Sequence, residues 1–243
     1  MTNPLTMLQV STRNHRMTIL REDGLYRHIR FQEPGTSMWH FDLVTWPGHL
    51  VITGDLEDFH FARVEDMFEF FRGPVGRINP GYWAEKLRGP QRYQSYSFEQ
   101  LKRRVYEKFR NWCSLRPGPH APLWQDLRYA LLDDDYVRYD ESSARTALAQ
   151  FRHTQASGAR FEFSDVWDWD LNEFDYHFLL SLHAIVWGIK WYDTVNAGEP
   201  DVPPEAGVRT RNPAPASPAP RRTPELVTTA PTCITVTPRG DLL

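Results

Sequence analysis

The densest set of groups able to do chemistry lies in VWDWDLNEFDYHF, where Asp168, Asp170, Glu173, Asp175 and His177 fall within ten positions. Carboxylates gathered with an imidazole suit a hard divalent cation, and a bound cation could activate water against a phosphate ester. The spacings that mark such enzymes are missing, since the sequence has no HExxH and no EF-hand loop. The same residues also read as structure. With a helix starting at Leu171, Asp170 is its N-cap and Glu173 sits in the first turn, where exposed N–H groups favour negative charge. A metal-dependent hydrolase acting on phosphate esters is therefore the alternative function rather than the leading one.

Other catalytic arrangements are weaker. His40 and Asp42 are two apart and would share a sheet face, but no G-x-S-x-G elbow supplies a nucleophile. His177 and His183 are six apart, about 120° from each other on a helix, so they do not form an i, i+4 ligand pair; each is expected in a core or boundary position with its ring nitrogens satisfied. No G-x-G-x-x-G and no Walker A loop occurs. No catalytic residue is assigned and no cofactor is expected.

The second candidate is a charge pattern. The chain carries 28 Lys and Arg against 31 Asp and Glu, net -3, and the sum hides a segregation. From Arg72 to Arg116 eleven basic residues face three acidic ones, net +8; Met1 to Phe71 is net -4 and Gln125 to Phe178 is net -7. In the basic block Arg88, Arg92, Lys102, Arg103, Arg104, Lys108 and Arg110 are interleaved with aromatic residues that include Trp83, Tyr93 and Tyr106. Cations that track phosphates beside rings that stack on bases are the combination single-strand binders use. The competing expectations are that these cations pair with the acidic flanks, and that Trp83 plugs a junction between sheet and helices. An adaptor whose acidic face imitates nucleic acid is a third possibility.

These groups need a scaffold, and the composition supports one. Of 243 residues 41% are hydrophobic and 14% aromatic, enough for a sizeable core. The opening residues show no apolar signal-peptide run, and FLLSLHAIVWGI, the most apolar stretch, is too short to span a bilayer. Two cysteines make neither a disulfide framework nor a zinc set. A cytoplasmic protein with no membrane partner is expected.

Turn pairs divide Met17 to Ala62 into strands: Asp23-Gly24, Glu33-Pro34-Gly35 and Pro47-Gly48 separate runs that alternate apolar and polar residues. Tyr26, His28 and Arg30 then lie on one face, and Leu25, Arg27, Ile29 and Phe31 mostly on the other. VEDMFEFFR has helical spacing and should pack back on the sheet. Ser97 and Gln100 make a capping box for SFEQLKRRVYEKFRNWC, which Pro117 and Pro119 stop. Further helices are expected over about 123–136, 142–155 (closed by Gly158) and 171–195, the last apolar nearly all round and so central; ARFEF could add an edge strand. The fold class is α+β: a polar lead-in over 1–16, an antiparallel β-meander with a short helix over 17–90, a helical half over 91–196, and a disordered Pro-rich tail over 197–243, where ten of the nineteen prolines lie.

FDLVTWPGHLVITGD, continued by FHFARVEDMFEFFR and INPGYWAEKL, resembles a family of accessory proteins encoded by tailed bacteriophages and prophages. The resemblance covers about Met17 to Leu87 well, the helical half loosely and the tail not at all. It brings no assigned activity and no site residues. It implies a phage accessory protein in the cytoplasm of a host bacterium, with a binding role favoured over metabolism; joined to the basic, aromatic-rich centre, the expectation is a non-enzymatic binder of single-stranded nucleic acid or of a host or phage protein through that centre.

Overall fold

The computed structural model describes residues 3–205. The meander forms as the turn pairs require: β1 (Arg16–Asp23), β2 (Tyr26–Gln32), β3 (Phe41–Trp46), β4 (His49–Gly54) and β5 (Phe59–Ala62) make one antiparallel sheet in sequence order. Gly24 and Gly48 take the positive φ their tight turns need. Register puts Ile29, Leu43 and Ile52 abreast on one face, with Phe31 opposite Phe41. That face is sealed, and each of these side chains is fully buried.

The cover over it is mostly α8 (Tyr176–Asn196), whose apolar circumference fits a helix wrapped on all sides. It runs against the sheet at van der Waals distance. A Cβ at Gly188 would stand 2.9 Å from Leu43 Cδ1 and from the Phe31 ring. Ser181, buried in this helix, donates its hydroxyl to the Leu56 carbonyl at 2.7 Å. The short helix α2 (Met67–Phe71), capped by Asp66, packs on α8 and β4. Arg27, on the sealed face, is tolerated there because both its terminal nitrogens bond the Asp66 carboxylate, at 2.9 and 3.2 Å, and its guanidinium lies over the Phe68 ring.

The chain before the sheet is not a plain lead-in. Residues Pro4–Thr12 form α1, capped by Asn3, and it docks on α8 with Leu8 fully buried. The first residues past α8 fold back on it: Trp187 Nε1 donates to the Pro204 carbonyl at 3.0 Å and Trp191 Nε1 to the Asp201 carboxylate at 2.6 Å. The rest of the expected disordered tail, from 206 onward, lies outside the described residues, as does Cys233.

A second core belongs to the helical half, around Leu101, Val105, Leu127, Leu148 and Phe161. After α3 (Pro80–Ala84), the strand β6 (Gln94–Tyr96) leads into α4 (Phe98–Leu115), as the capping residues require. The helix expected over 123–136 is broken into α5 (Ala121–Leu127), a π-helical turn (Arg128–Leu132) and α6 (Asp135–Tyr139). Aspartates explain the break: Asp134 caps α6 and Asp140 caps α7 (Glu141–Gln150), each accepting a backbone N–H in preference to continuing a helix. α7 ends before Phe151, and Gly158 turns a hairpin between β7 (Arg152–Thr154) and β8 (Arg160–Glu162) rather than closing a helix. ARFEF therefore supplies a strand of this hairpin and not an edge of the main sheet.

Candidate nucleic-acid interface

The basic stretch is only partly free. Arg72 is bound in a bidentate pair to Asp193 of α8, Lys86 pairs with Glu85 at 2.9 Å, and Lys102 is paired with Glu99. Arg103 lies 3.6 Å from Glu173, Arg104 3.5 Å from Glu107, and Lys108 stands over the Trp169 ring. Arg88, Arg92 and Arg110 are exposed and take part in no ion pair among the described residues. Most of these partners are not in the acidic flanks: Glu85, Glu99 and Glu107 belong to the basic stretch itself, Asp193 lies beyond both flanks, and Glu173 alone comes from Gln125 to Phe178, while one set of cations stays available to a polyanion. Trp83 is not available: it is 9% exposed and its ring meets Phe71 edge-on at 4.8 Å. It plugs the junction beneath α3 and cannot stack on a base.

Two of the free cations, Arg88 and Arg92, adjoin a surface that pattern reading left undeveloped, the outer face of the sheet. Cross-strand register aligns Arg21, His28, Val44, Val51 and His60 in one row across all five strands. Beside it Trp46 stacks on His49 with ring centroids 4.9 Å apart and planes 20° from parallel. His49 Nδ1 and His60 Nε2 are 3.0 Å apart, so one imidazole donates to the other. The His60 ring is pushed below its ordinary value by burial, then by His49 and by Arg88. Arg88 arrives there because Leu87 bridges to Phe61 and the Arg88 N–H donates to the His60 carbonyl at 2.8 Å, which attaches this segment to the outer edge of β5. The chain then runs through Arg92 and Tyr93 to β6 and the start of α4. Arg92 lines two shallow adjoining hollows, one with Gly54 and Phe59 and the other with Tyr93 and Asn172.

Further along the same face, Asp42 accepts two hydrogen bonds from Arg30, at 2.9 and 2.8 Å, and one from His28 at 2.7 Å. Burial pushes the Asp42 carboxyl up, but those bonds outweigh it and hold the group below its ordinary value. His40 does not couple to Asp42; it sits in the loop before β3, bonded to the Ser37 carbonyl at 2.8 Å and 3.3 Å from Asp55.

The acidic run is dispersed into structural tasks. α8 begins at Tyr176, and its cap is Asp175, which accepts the N–H groups of His177 and Phe178 at 2.8 and 3.3 Å. Asp170, expected as that cap, instead accepts the Asn172 N–H in a local turn. The reason is that Asn172–Phe174 are the strand β9, paired with β6. Glu173 on that strand takes hydrogen bonds from the Ser97 hydroxyl and the Gln100 amide, each 2.8 Å, and so pins β9 to the start of α4. The Gln100 side chain therefore does not complete the capping box, and the Ser97 N–H goes to the Leu171 carbonyl at 2.8 Å. Asp168 ends a 3-10 turn (Val166–Asp168), and His177 is exposed. Among the described residues no three His, Cys, Asp or Glu side chains converge to hold a metal ion. His183, expected with its ring nitrogens satisfied, is buried with no partner for Nδ1 among the described residues, and burial pushes its ring down to about 4.

Sequence reading thus located the free cations but missed Trp46, His49 and His60. A usable signal existed: Trp46, His49 and His60 alternate with the buried Thr45, Leu50, Phe59 and Phe61, which places these three half-buried rings on the opposite face of the sheet. No protein-family model, curated protein or solved structure matches this chain. Among the described residues no helix is long and apolar enough to cross a membrane.

Proposed function

We propose that the protein is a non-enzymatic binder of single-stranded nucleic acid, working as a phage accessory protein in the bacterial cytoplasm. The open face of the sheet carries this reading, because Trp46, His49 and His60 stand together there with Arg88 at their edge. Bases stack on Trp46 and the imidazoles, and the sugar–phosphate backbone follows Arg88 and Arg92 toward Arg103, Arg104 and Arg110 on α4. Stacking and charge both tolerate any sequence, so recognition is of strand form rather than base order. Retention on immobilised single-stranded DNA at moderate salt tests the proposal. Retention should weaken in the Arg88→Ala/Arg92→Ala variant, and indifference of the unaltered protein to the matrix would end it.

A further inference from the structure

We propose a second binding surface, acidic and aromatic, that docks an arginine-rich protein segment. Tyr129, Tyr136, Tyr139 and Trp167 are 85, 80, 80 and 65% exposed. Single exposed aromatics are ordinary, but these four belong to adjoining elements. Tyr129 is on the π-helical turn, and Tyr136 and Tyr139 are three apart on α6, which packs on that turn and on α7. Trp167 is held beside the first turn of α7, where Arg145 bonds Glu141 and the carbonyls of Val166, Trp167 and Trp169. Phe151, Phe161 and Phe163 of the same half are spent on the core, and Tyr106, at 50%, is less exposed than any of the four.

Charge selects the occupant. The same elements carry Asp133, Asp134, Asp135 and Asp140, and the stretch from Gln125 to Phe178 is net -7. Its nearby cations are committed: Arg128 to Asp133 at 3.2 Å, Arg138 to Asp135 at 3.6 Å and over the Phe98 ring, and Arg145 to Glu141 at 2.8 Å. A nucleic acid or an anionic lipid surface would be repelled. A purely apolar partner would desolvate four carboxylates that hold only one local ion pair or backbone N–H each. Guanidinium groups satisfy both halves of the surface, since they lie flat on tyrosine and tryptophan rings and pair with carboxylates at their edges, which a lysine ammonium does less well. Tyr and Trp are also the residue types that most often carry interface energy, at little cost in side-chain ordering.

The test uses the full chain, freed of nucleic acid, and two fluorescent peptides of equal charge, nona-arginine and nona-lysine. Nona-arginine should bind about five- to tenfold more tightly than nona-lysine, from guanidinium stacking on the rings. Tyr129→Ser/Tyr136→Ser/Tyr139→Ser should weaken nona-arginine about tenfold or more. That variant alters only exposed rings, so it should unfold at the same denaturant concentration and keep its retention on single-stranded DNA. Equal affinity for the two peptides, unchanged affinity in the triple variant, or salt-sensitive self-association that blocks the peptide would each overturn the assignment.

Discussion

Replacing Gly188 by alanine isolates the contact on which the N-terminal half depends. Two effects of opposite sign compete. Within a helix alanine is favoured over glycine by roughly 0.5–1 kcal/mol. Against that, the new methyl would stand 2.9 Å from Leu43 Cδ1 and from two atoms of the Phe31 ring. The leucine tip can rotate, but the Phe31 ring cannot: it is stacked on Phe41 at 4.8 Å and packed by Trp187 and Trp191 at 5.5 and 5.8 Å. Overpacking of this kind costs about 1–3 kcal/mol, so the net should be a loss of about 0.5–2 kcal/mol. For a domain of this size that corresponds to a fall in Tm of a few degrees, roughly 2–4 °C per kcal/mol. Urea unfolding followed by tryptophan fluorescence and far-UV circular dichroism measures it through the midpoint. An unchanged or raised midpoint would refute close docking of α8 on the sheet, because propensity alone would then have decided the outcome.

Asp175→Ala should cost about 1 kcal/mol by uncapping α8, while Asp170→Ala should stay within about 0.5 kcal/mol; paired urea titrations separate the two, and the reverse order would restore the cap expected from the sequence. Burial holds His183 neutral in the folded protein, with its ring pushed down from 6.5 to about 4. The unfolded chain takes up that proton first, so stability is complete above pH 6.5 and declines as the pH falls from there toward 4. His183→Leu should flatten that window in a pH series of unfolding midpoints. Asp42 and Asp66 lie below their ordinary 3.8, each because its hydrogen bonds outweigh burial, so their contribution is lost as the pH falls through values below 3.8. Asp66→Asn should remove part of that later acid loss.

The meander was legible because three of its four turns carry an Asp-Gly or Pro-Gly pair, proline fixing φ and glycine admitting the positive φ a tight turn needs, and strand alternation then allots side chains to faces. Arg27 reads as an exception on the buried face, and Asp66, 39 positions on, resolves it through a contact no local pattern contains. The helical half was less legible. Apolar periodicity continues through 128–136, but Asp134 interrupts it as a cap; past Gln150 the one apolar residue before the hairpin turn is Phe151, which leaves the helix to join Phe161 and Phe163 in the core. Likewise β9 is three residues long and exists only because β6 lies beside it, so nothing local marks Leu171 as preceding a strand. At the site, charge segregation was visible as a sum, whereas the division into paired and free cations depends on which carboxylates the fold brings near. Trp46, His49 and His60 come from three strand positions whose adjacency is a matter of register.

Fluorescence anisotropy of a labelled 20-nucleotide oligothymidine, titrated with the protein over a range of salt, reaches the central proposal most directly. Of the arginines along the path, the three that are unpaired, Arg88, Arg92 and Arg110, give a slope of log affinity against log salt of about -2. Arg88→Ala should reduce that slope by about 0.7. Trp46→Ala should leave the slope alone and weaken binding by about 1–3 kcal/mol, the worth of a stacked base. An oligonucleotide that stays free at low salt, or one whose binding ignores both substitutions, would contradict the assignment of the open sheet face as the interface.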